Sequence, residues 1–256
     1  DIAAYYDEPF GNSSALAAYY CAKVAKEHGV SVMLGGDGGD EIFAGNERYA
    51  QQIVFEYYKK VPGFIGNSMD GVLNHLPNFF AQQKLFFKAK RYIDQAKTPL
   101  PDRLQDYNFL HRHVGTEIFQ PEFLQQINSE RPLDLLRESY HRPQQASTLN
   151  RMLYMDWKTT LHDNDLVKVN KMCEMAGVTV RYPLLSQEMI ELSCKIPSAD
   201  KLQAKELRKF YKQAMAGFLP DEILHKSKHG FGLPFGIWLK DYQPLKELAY
   251  DSINSL

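Results

Sequence analysis

Seven consecutive residues, Gly35-Gly36-Asp37-Gly38-Gly39-Asp40-Glu41, restrict this chain more than any other stretch. They follow the apolar run Val30-Ser31-Val32-Met33-Leu34 directly. Four glycines and three carboxylates in seven positions make poor helix and poor strand. Glycine admits φ > 0 and a close approach by a ligand. Crowded carboxylates repel one another unless a cation or cationic substrate neutralises them. A run so unfavourable for regular structure, placed after a strand that reads as buried, is the pattern of a ligand-binding loop.

Three readings of the loop stand at this point. It is a surface turn with solvated acids, although turns rarely need four glycines. It is a diguanylate-cyclase signature, since Gly38 to Phe43 nearly spells GGDEF. That motif sits on a hairpin between two strands, whereas a helical pattern follows here. Or it is a nucleotide and Mg²⁺ loop, with backbone N–H groups for phosphate or ribose and carboxylates for metal and an amino substrate.

At 256 residues the chain is long enough for one large domain or two small ones. Its net charge of -1 supplies no field to draw in nucleic acid or an anionic membrane. Fifteen Phe, 15 Tyr and 2 Trp argue for a folded chain. Cys21, Cys173 and Cys194 are odd in number and form no C-x-x-C pair, which disfavours structural zinc and disulfides and fits a reducing, cytoplasmic setting. No apolar run approaches 18 residues, so no membrane span is expected. The chain starts at Asp1 in mid-pattern, as a fragment of a longer protein would.

Asn12-Ser13-Ser14 offers caps for a helix running to His28, and Gly29 occupies the position favoured after a helix end. A strand over 30–34, the Gly/Asp loop and a helix opening near Asp40-Glu41 follow. That order forms part of an α/β unit whose loop lies where such sheets bind ligands. Beyond it, 47–62, 64–96, 100–112 and 145–176 carry helical spacing, with further helices at 186–195, 204–217 and 243–253. Residues 178–180 read as a short strand. The stretch 97–103 is the best linker candidate, although Leu100 within it favours docking. One strong strand is too few for a complete sheet, so any missing strands are expected before Asp1.

Two further stretches carry chemistry or structure. Lys226 to Trp238 places two lysines before a Gly-, Pro- and aromatic-rich turn, which cannot be helix interior. It reads either as a solvated basic loop or as a loop delivering one ammonium to developing negative charge, with Lys228 the better candidate. In the segment from Asp163 to Leu185, Asp163 or Asp165 could cap a helix carrying Leu166, Val169 and Met172 inward. Arg181 reads as a paired structural charge and the segment as scaffold. The histidines show no H-x₃-H or H-E-x-x-H spacing, and Ser193-Cys194 lacks a G-x-S-x-G context.

Taken in order, these stretches resemble the synthetase domain of the glutamine-hydrolysing asparagine synthetase family. Asp7-Glu8-Pro9-Phe10 with Ser13-Ser14 is similar to D-E-P-F-x-x-S-S, and Leu34 to Phe43 to L-S-G-[DE]-G-x-D-E-[LV]-F. Val167 to Leu185 is similar to V-K-V-[DN]-[RK]-x-x-M…E-x-R-x-P-F-L-D. Leu207-Arg208, Leu219-Pro220 and Lys226 to Trp238 resemble L-R…L-P…K-x-K-x-G-F-x-x-P…W. The resemblance covers nearly the whole of 1–256, read as a single domain.

It implies an adenine nucleotide alpha-hydrolase-like α/β fold, of which this chain would hold a predominantly helical part with a small remnant of parallel sheet. It also implies ATP and Mg²⁺, adenylation of the aspartate side-chain carboxylate, and displacement of AMP by ammonia from glutamine. In that scheme Asp40 helps hold Mg²⁺ on pyrophosphate, and Asp37 lies by the substrate amine or attacking ammonia. Gly35, Gly36 and Gly38 border the nucleotide, and Lys228 stabilises charge as the adenylate forms and breaks down. The expected partner is an N-terminal glutaminase domain. An uncovered sheet edge would favour self-association, including a homodimer.

The departures from the family pattern are Gly35 for Ser, Thr179 for Glu, Ser186 for Asp, and Ala44-Gly45-Asn46 for Gly-Gly-Tyr. They bear on which acid and which amine donor are used, because the family includes amidotransferases of other pathways and β-lactam-forming relatives. The S-G-G-x-D-S loop of the family does not occur in the sequence. The chain alone is therefore expected to form no amide.

Overall fold

A computed structural model describes residues 2–58, 92–105, 115–226 and 232–255. Residues 59–62 of the expected 47–62 helix, 64–91 of the expected 64–96 helix, the part of the 100–112 helix beyond 105, and Lys228 lie outside the described residues. The chain divides into two compact units, one made of Asp1–Gly35, Asn164–Pro183 and His225–Leu256, the other of Gly36–Asp163 and Leu184–Leu224. Among the described residues the structure is predominantly helical, with one two-stranded parallel sheet.

The first unit is built on one device used twice. Helix α1 (Ile2–Tyr5) leads to α2 (Ser14–Glu27), whose start is fastened by Asn12, since Asn12 Oδ1 accepts from the Ser14 backbone N–H at 3.1 Å. The end of α2 is closed at Gly29, in the left-handed region at φ 78°. There Gly29 N–H donates to Lys26 O and Val30 N–H to Ala25 O, the two bonds of a Schellman motif. Strand β1 (Val32–Leu34) follows at once.

Helix α3 (Val167–Met175) ends the same way. Gly177, at φ 71°, donates to Glu174 O, and Val178 N–H donates to Cys173 O before strand β2 (Thr179–Arg181) begins. The strands pair in parallel with Val32 opposite Thr179 and Leu34 opposite Arg181. Helices α2 and α3 pack on each other, burying Ala22, Met172 and Cys173. A fully buried methionine or leucine contributes about 1.5–3 kcal/mol.

The sheet is less buried than the apolar run predicts. Val32 is 44% and Leu34 72% exposed, because side chains alternate along a strand and only the Met33 and Val180 face is half-buried. Arg181 is also exposed and makes no ion pair among the described residues, which corrects its reading as a paired structural charge. The last two helices, Phe235–Asp241 and Gln243–Asn254, pack together in the same unit.

The second unit holds the larger core. Helix α4 (Gly39–Phe43) and α5 (Glu47–Tyr58) follow the glycine loop, and α6 (Arg131–His141) and α7 (Thr148–Asp156) pack against each other. Tyr49, Ala50, Leu104, Tyr140, Met152 and Met155 form one apolar cluster; Ile42, Phe43 and Ile196 form a second. The 97–103 stretch is docked, with Arg103 and Leu104 each 2% exposed. Arg103 is held by Gln52 Oε1 at 2.5 Å and Glu56 Oε1 at 2.6 Å. It is no linker, since both of its sides belong to this unit. Trp157–Leu166 is a wider, i→i+5 helix following α7. Helix α8 (Gln187–Lys195) lies beyond β2 in sequence. No helix among the described residues is long and apolar enough to cross a membrane.

Candidate functional site

The glycine loop turns sharply at Gly38, which stands at the start of α4 with φ 88° and ψ -16°. Only a residue without Cβ reaches that region at little cost. Space imposes the same requirement, since a Cβ on Gly38 would collide with the Leu185 side chain. A Cβ on Gly39 would stand 3.0 Å from Leu184 Cδ1. Gly36 faces open space and is exposed. Backbone conformation and space therefore both require glycine at 38, a Cβ at 39 would need a small shift of Leu184, and Gly36 has room around it.

Asp40 and Gly45 are matched in the same way. A Cβ on Gly45 would collide with Asp40 Oδ1, and Arg208 Cδ lies 3.0 Å from that point. The Gly45 N–H donates to the Asp40 carbonyl at 3.0 Å, and the Arg208 N–H to the Ala44 carbonyl at 3.4 Å. Ala44 closes α4 in the left-handed region at φ 57°. Three stretches singled out in the sequence, 36–45, 184–185 and 207–208, thus meet within one unit. In the other unit, Lys171 Nζ stands 3.2 Å from Asp7 Oδ2 and Tyr6 Oη donates to Lys168 O at 3.5 Å. These contacts join the 7–14 stretch to the 164–171 stretch.

Beyond α4 lies a buried ionic group that the sequence reading missed. Asp156 is 1% exposed and pairs with Arg48, while Tyr49 Oη donates to Asp156 Oδ2 at 2.5 Å and Thr160 Oγ1 to Asp156 Oδ1 at 3.4 Å. Burial, then the Asp156 charge and hydrogen bond, push the Tyr49 phenol well above its ordinary 10.0. An acid between the apolar run Met152-Leu153-Tyr154-Met155 and Trp157 was the available signal, because buried carboxylates are paired.

Two of the departures from the family pattern prove to be local structure. Ser186 Oγ accepts from Met189 N–H at 3.4 Å as the cap of α8, a task that aspartate and serine share. Asn46 Oδ1 accepts from the Arg48 N–H at 3.1 Å at the start of α5. Thr179 is exposed on β2.

The candidate residues fall as follows. Gly35 belongs to the first unit, where its N–H donates to Arg181 O at 2.8 Å. Gly36, Asp37, Gly38 and Asp40 belong to the second. Lys228 lies outside the described residues. The loop offers carboxylate oxygens, the donors a hard cation takes. No group of three or more His, Cys, Asp or Glu that could hold a metal occurs among the described residues. A Mg²⁺ held by one carboxylate and nucleotide phosphates needs no such group.

Comparison with known proteins finds relatives of one kind. The chain is 26% identical over 238 residues to "Asparagine synthetase [glutamine-hydrolyzing] 1" of Bacillus subtilis (strain 168), an alignment covering 93% of this chain and 36% of that protein. It is 24% identical over 262 residues to a "Putative asparagine synthetase [glutamine-hydrolyzing]" of Mycobacterium tuberculosis (strain ATCC 25618 / H37Rv), covering 100% of this chain and 37% of the relative. A third relative, from Methanocaldococcus jannaschii, is 26% identical over 171 residues, covering 65% of this chain and 30% of its own length. The chain thus spans little more than a third of the length of the relatives it matches. No solved structure matches it. The family model described as Asparagine synthase matches residues 1–256, and the chain belongs to that family.

Proposed function

We propose that this chain is the greater part of the synthetase region of an ATP-dependent amide-forming ligase. The observation that carries the reading is the glycine loop. A stretch matching the family's loop opens α4 with Gly38 in a conformation and a space that only glycine fits, and it sets Asp40 against Gly45. The family match over 1–256 supports the same reading.

In this proposal ATP activates the side-chain carboxylate of aspartate. The carboxylate oxygen bonds to the α-phosphorus, and pyrophosphate leaves. Ammonia from glutamine then attacks the acyl carbon, AMP departs with the bonding electron pair, and one proton is lost from nitrogen. Asp40 would hold Mg²⁺, whose role when bound is to neutralise the leaving pyrophosphate. Gly35, Gly36 and Gly38 would let the backbone approach the nucleotide, Asp37 would lie by the amine, and Lys228 would stabilise the developing charge. The glutamine-hydrolysing step belongs to a separate glutaminase domain of the complete protein.

A second reading keeps the chemistry and changes the acid. Thr179 stands where the family pattern has Glu, which removes a carboxylate from the matched segment. ATP–pyrophosphate exchange by the complete protein, measured against a panel of amino and sugar acids, separates the two. Exchange dependent on aspartate supports the first reading, and exchange with another acid alone supports the second. No exchange with any acid contradicts both.

A further inference from the structure

Three charged side chains are buried among the described residues: Arg103, Asp156 and Lys201. The first two are fully answered. Arg103 bonds to Gln52, Glu56 and the Ala96 carbonyl. Asp156 receives Arg48, Tyr49 and Thr160. Lys201 is different. It is 4% exposed, and its Nζ makes one bond, to Ser193 Oγ at 3.1 Å. Ser193 spends its own proton on the Ile42 carbonyl at 2.9 Å. No carboxylate of the described residues lies within ion-pair distance of Lys201. A buried ammonium with three protons and one neutral acceptor is expensive, because buried charges are ordinarily paired.

Lys201 is among the residues lining a cleft of about 410 Å³ that lies wholly within the second unit. Leu153, Tyr154, Trp157 and Ile190 supply its apolar wall. That size is in the range of small-molecule sites, which combine an apolar body with a few placed polar groups. The other charged groups on the cleft are Lys158, which is exposed, and Glu41, which has partners of its own. Two cations against one acid favour a single negative charge. Burial pushes the Lys201 amine below its ordinary 10.5, as an uncompensated cation requires.

We propose that this cleft binds a small monocarboxylic acid with an apolar body, its carboxylate accepting from Lys201 and its body lying against Leu153, Trp157 and Ile190. The proposal does not rest on the nucleotide chemistry proposed above, although Glu41 of the glycine loop also lines the cleft. An adjacent contact is built in, since Lys201 reaches the Ile42 carbonyl of α4 through Ser193.

The test uses the complete protein and follows, by isothermal titration calorimetry, binding of phenylacetate and of the neutral phenylacetamide. The expected result is saturable binding of phenylacetate, at least tenfold tighter than the amide. Lys201→Met should erase that preference, and Ala146→Leu, which fills the cleft and leaves the ammonium, should weaken both probes at least tenfold. Equal affinities for acid and amide, or no saturable response, would overturn the proposal. Should Lys201→Met fail to fold, the acid-to-amide ratio and the Ala146→Leu variant still decide it.

Discussion

The two strands of the sheet have nearly identical entrances and opposite exits. Each is reached from a helix through a glycine at positive φ, with the same pair of capping bonds, at Gly29 before β1 and at Gly177 before β2. After β2 the chain makes an apolar turn through Pro183-Leu184-Leu185 and starts α8 under a serine cap. After β1 it makes a turn of glycines and acids and starts α4 under Gly38, which has no side chain to offer. The β2 exit obeys ordinary rules of helix initiation. The β1 exit breaks them, in residue type, backbone conformation and charge, and a local violation without a local reward is the usual mark of a functional segment. The contrast fits the proposal above, in which the β1 exit carries chemistry and the β2 exit is scaffold.

The largest effect expected from disturbing this contrast is at Gly38. Replacement by alanine forces a left-handed residue and a collision with Leu185, together about 2–5 kcal/mol by denaturant unfolding. Adding Leu185→Ala should recover the part due to collision and leave the part due to φ. Equal losses in the presence and absence of the Leu185 side chain would show that Leu184-Leu185 does not brace the loop.

Next in size is Tyr49→Phe, just beyond the β1 exit, expected to cost about 1–3 kcal/mol because Asp156 loses a buried donor. The pH dependence has a definite sign. The folded phenol titrates well above the unfolded one at 10.0, so the folded state retains its proton as the unfolded state loses it. Stability is full below pH 10 and falls as pH rises beyond it. Tyr49→Phe should flatten that alkaline slope; an unchanged slope would remove Tyr49 from the account.

Ser186→Ala should cost about 1 kcal/mol, the worth of a cap, and Ser186→Asp should cost little. The smallest effect is a gain. Ala44 sits at φ 57°, so Ala44→Gly should stabilise by about 1 kcal/mol through release of left-handed strain, read as a raised unfolding midpoint. A loss on Ala44→Gly would mean that its buried methyl outweighs the backbone.

The strand after the first long helix, the joint at Gly29 and the loop were legible because glycine and cap residues act over four or five positions of sequence. Gly177 could have been read as Gly29 was. The exposure of Val32 and Leu34 was not legible, since an apolar run reports preference for burial and not which faces are covered. Helix 204–217 shortened to Lys209–Ala214 because Ala204 and Arg208 take positive φ, which no propensity of those residues announces. The Asp156 and Lys201 sites depend on side chains far apart in sequence, Tyr49 with Asp156 and Ile42 with Ser193. Periodicity describes one element at a time and cannot join them.

The most direct test compares the two exits in one assay, pyrophosphate release by the complete protein with ATP, Mg²⁺ and its acid substrate. Asp40→Ala is expected to lower kcat/KM at least ~100-fold in the folded protein by removing a group that positions transition-state charge. Ser186→Ala is expected to leave kcat/KM within about twofold while lowering the midpoint, as loss of a helix cap does. Near-normal turnover in Asp40→Ala, or a collapse of turnover in Ser186→Ala with its fold intact, would contradict the division of roles between the two exits.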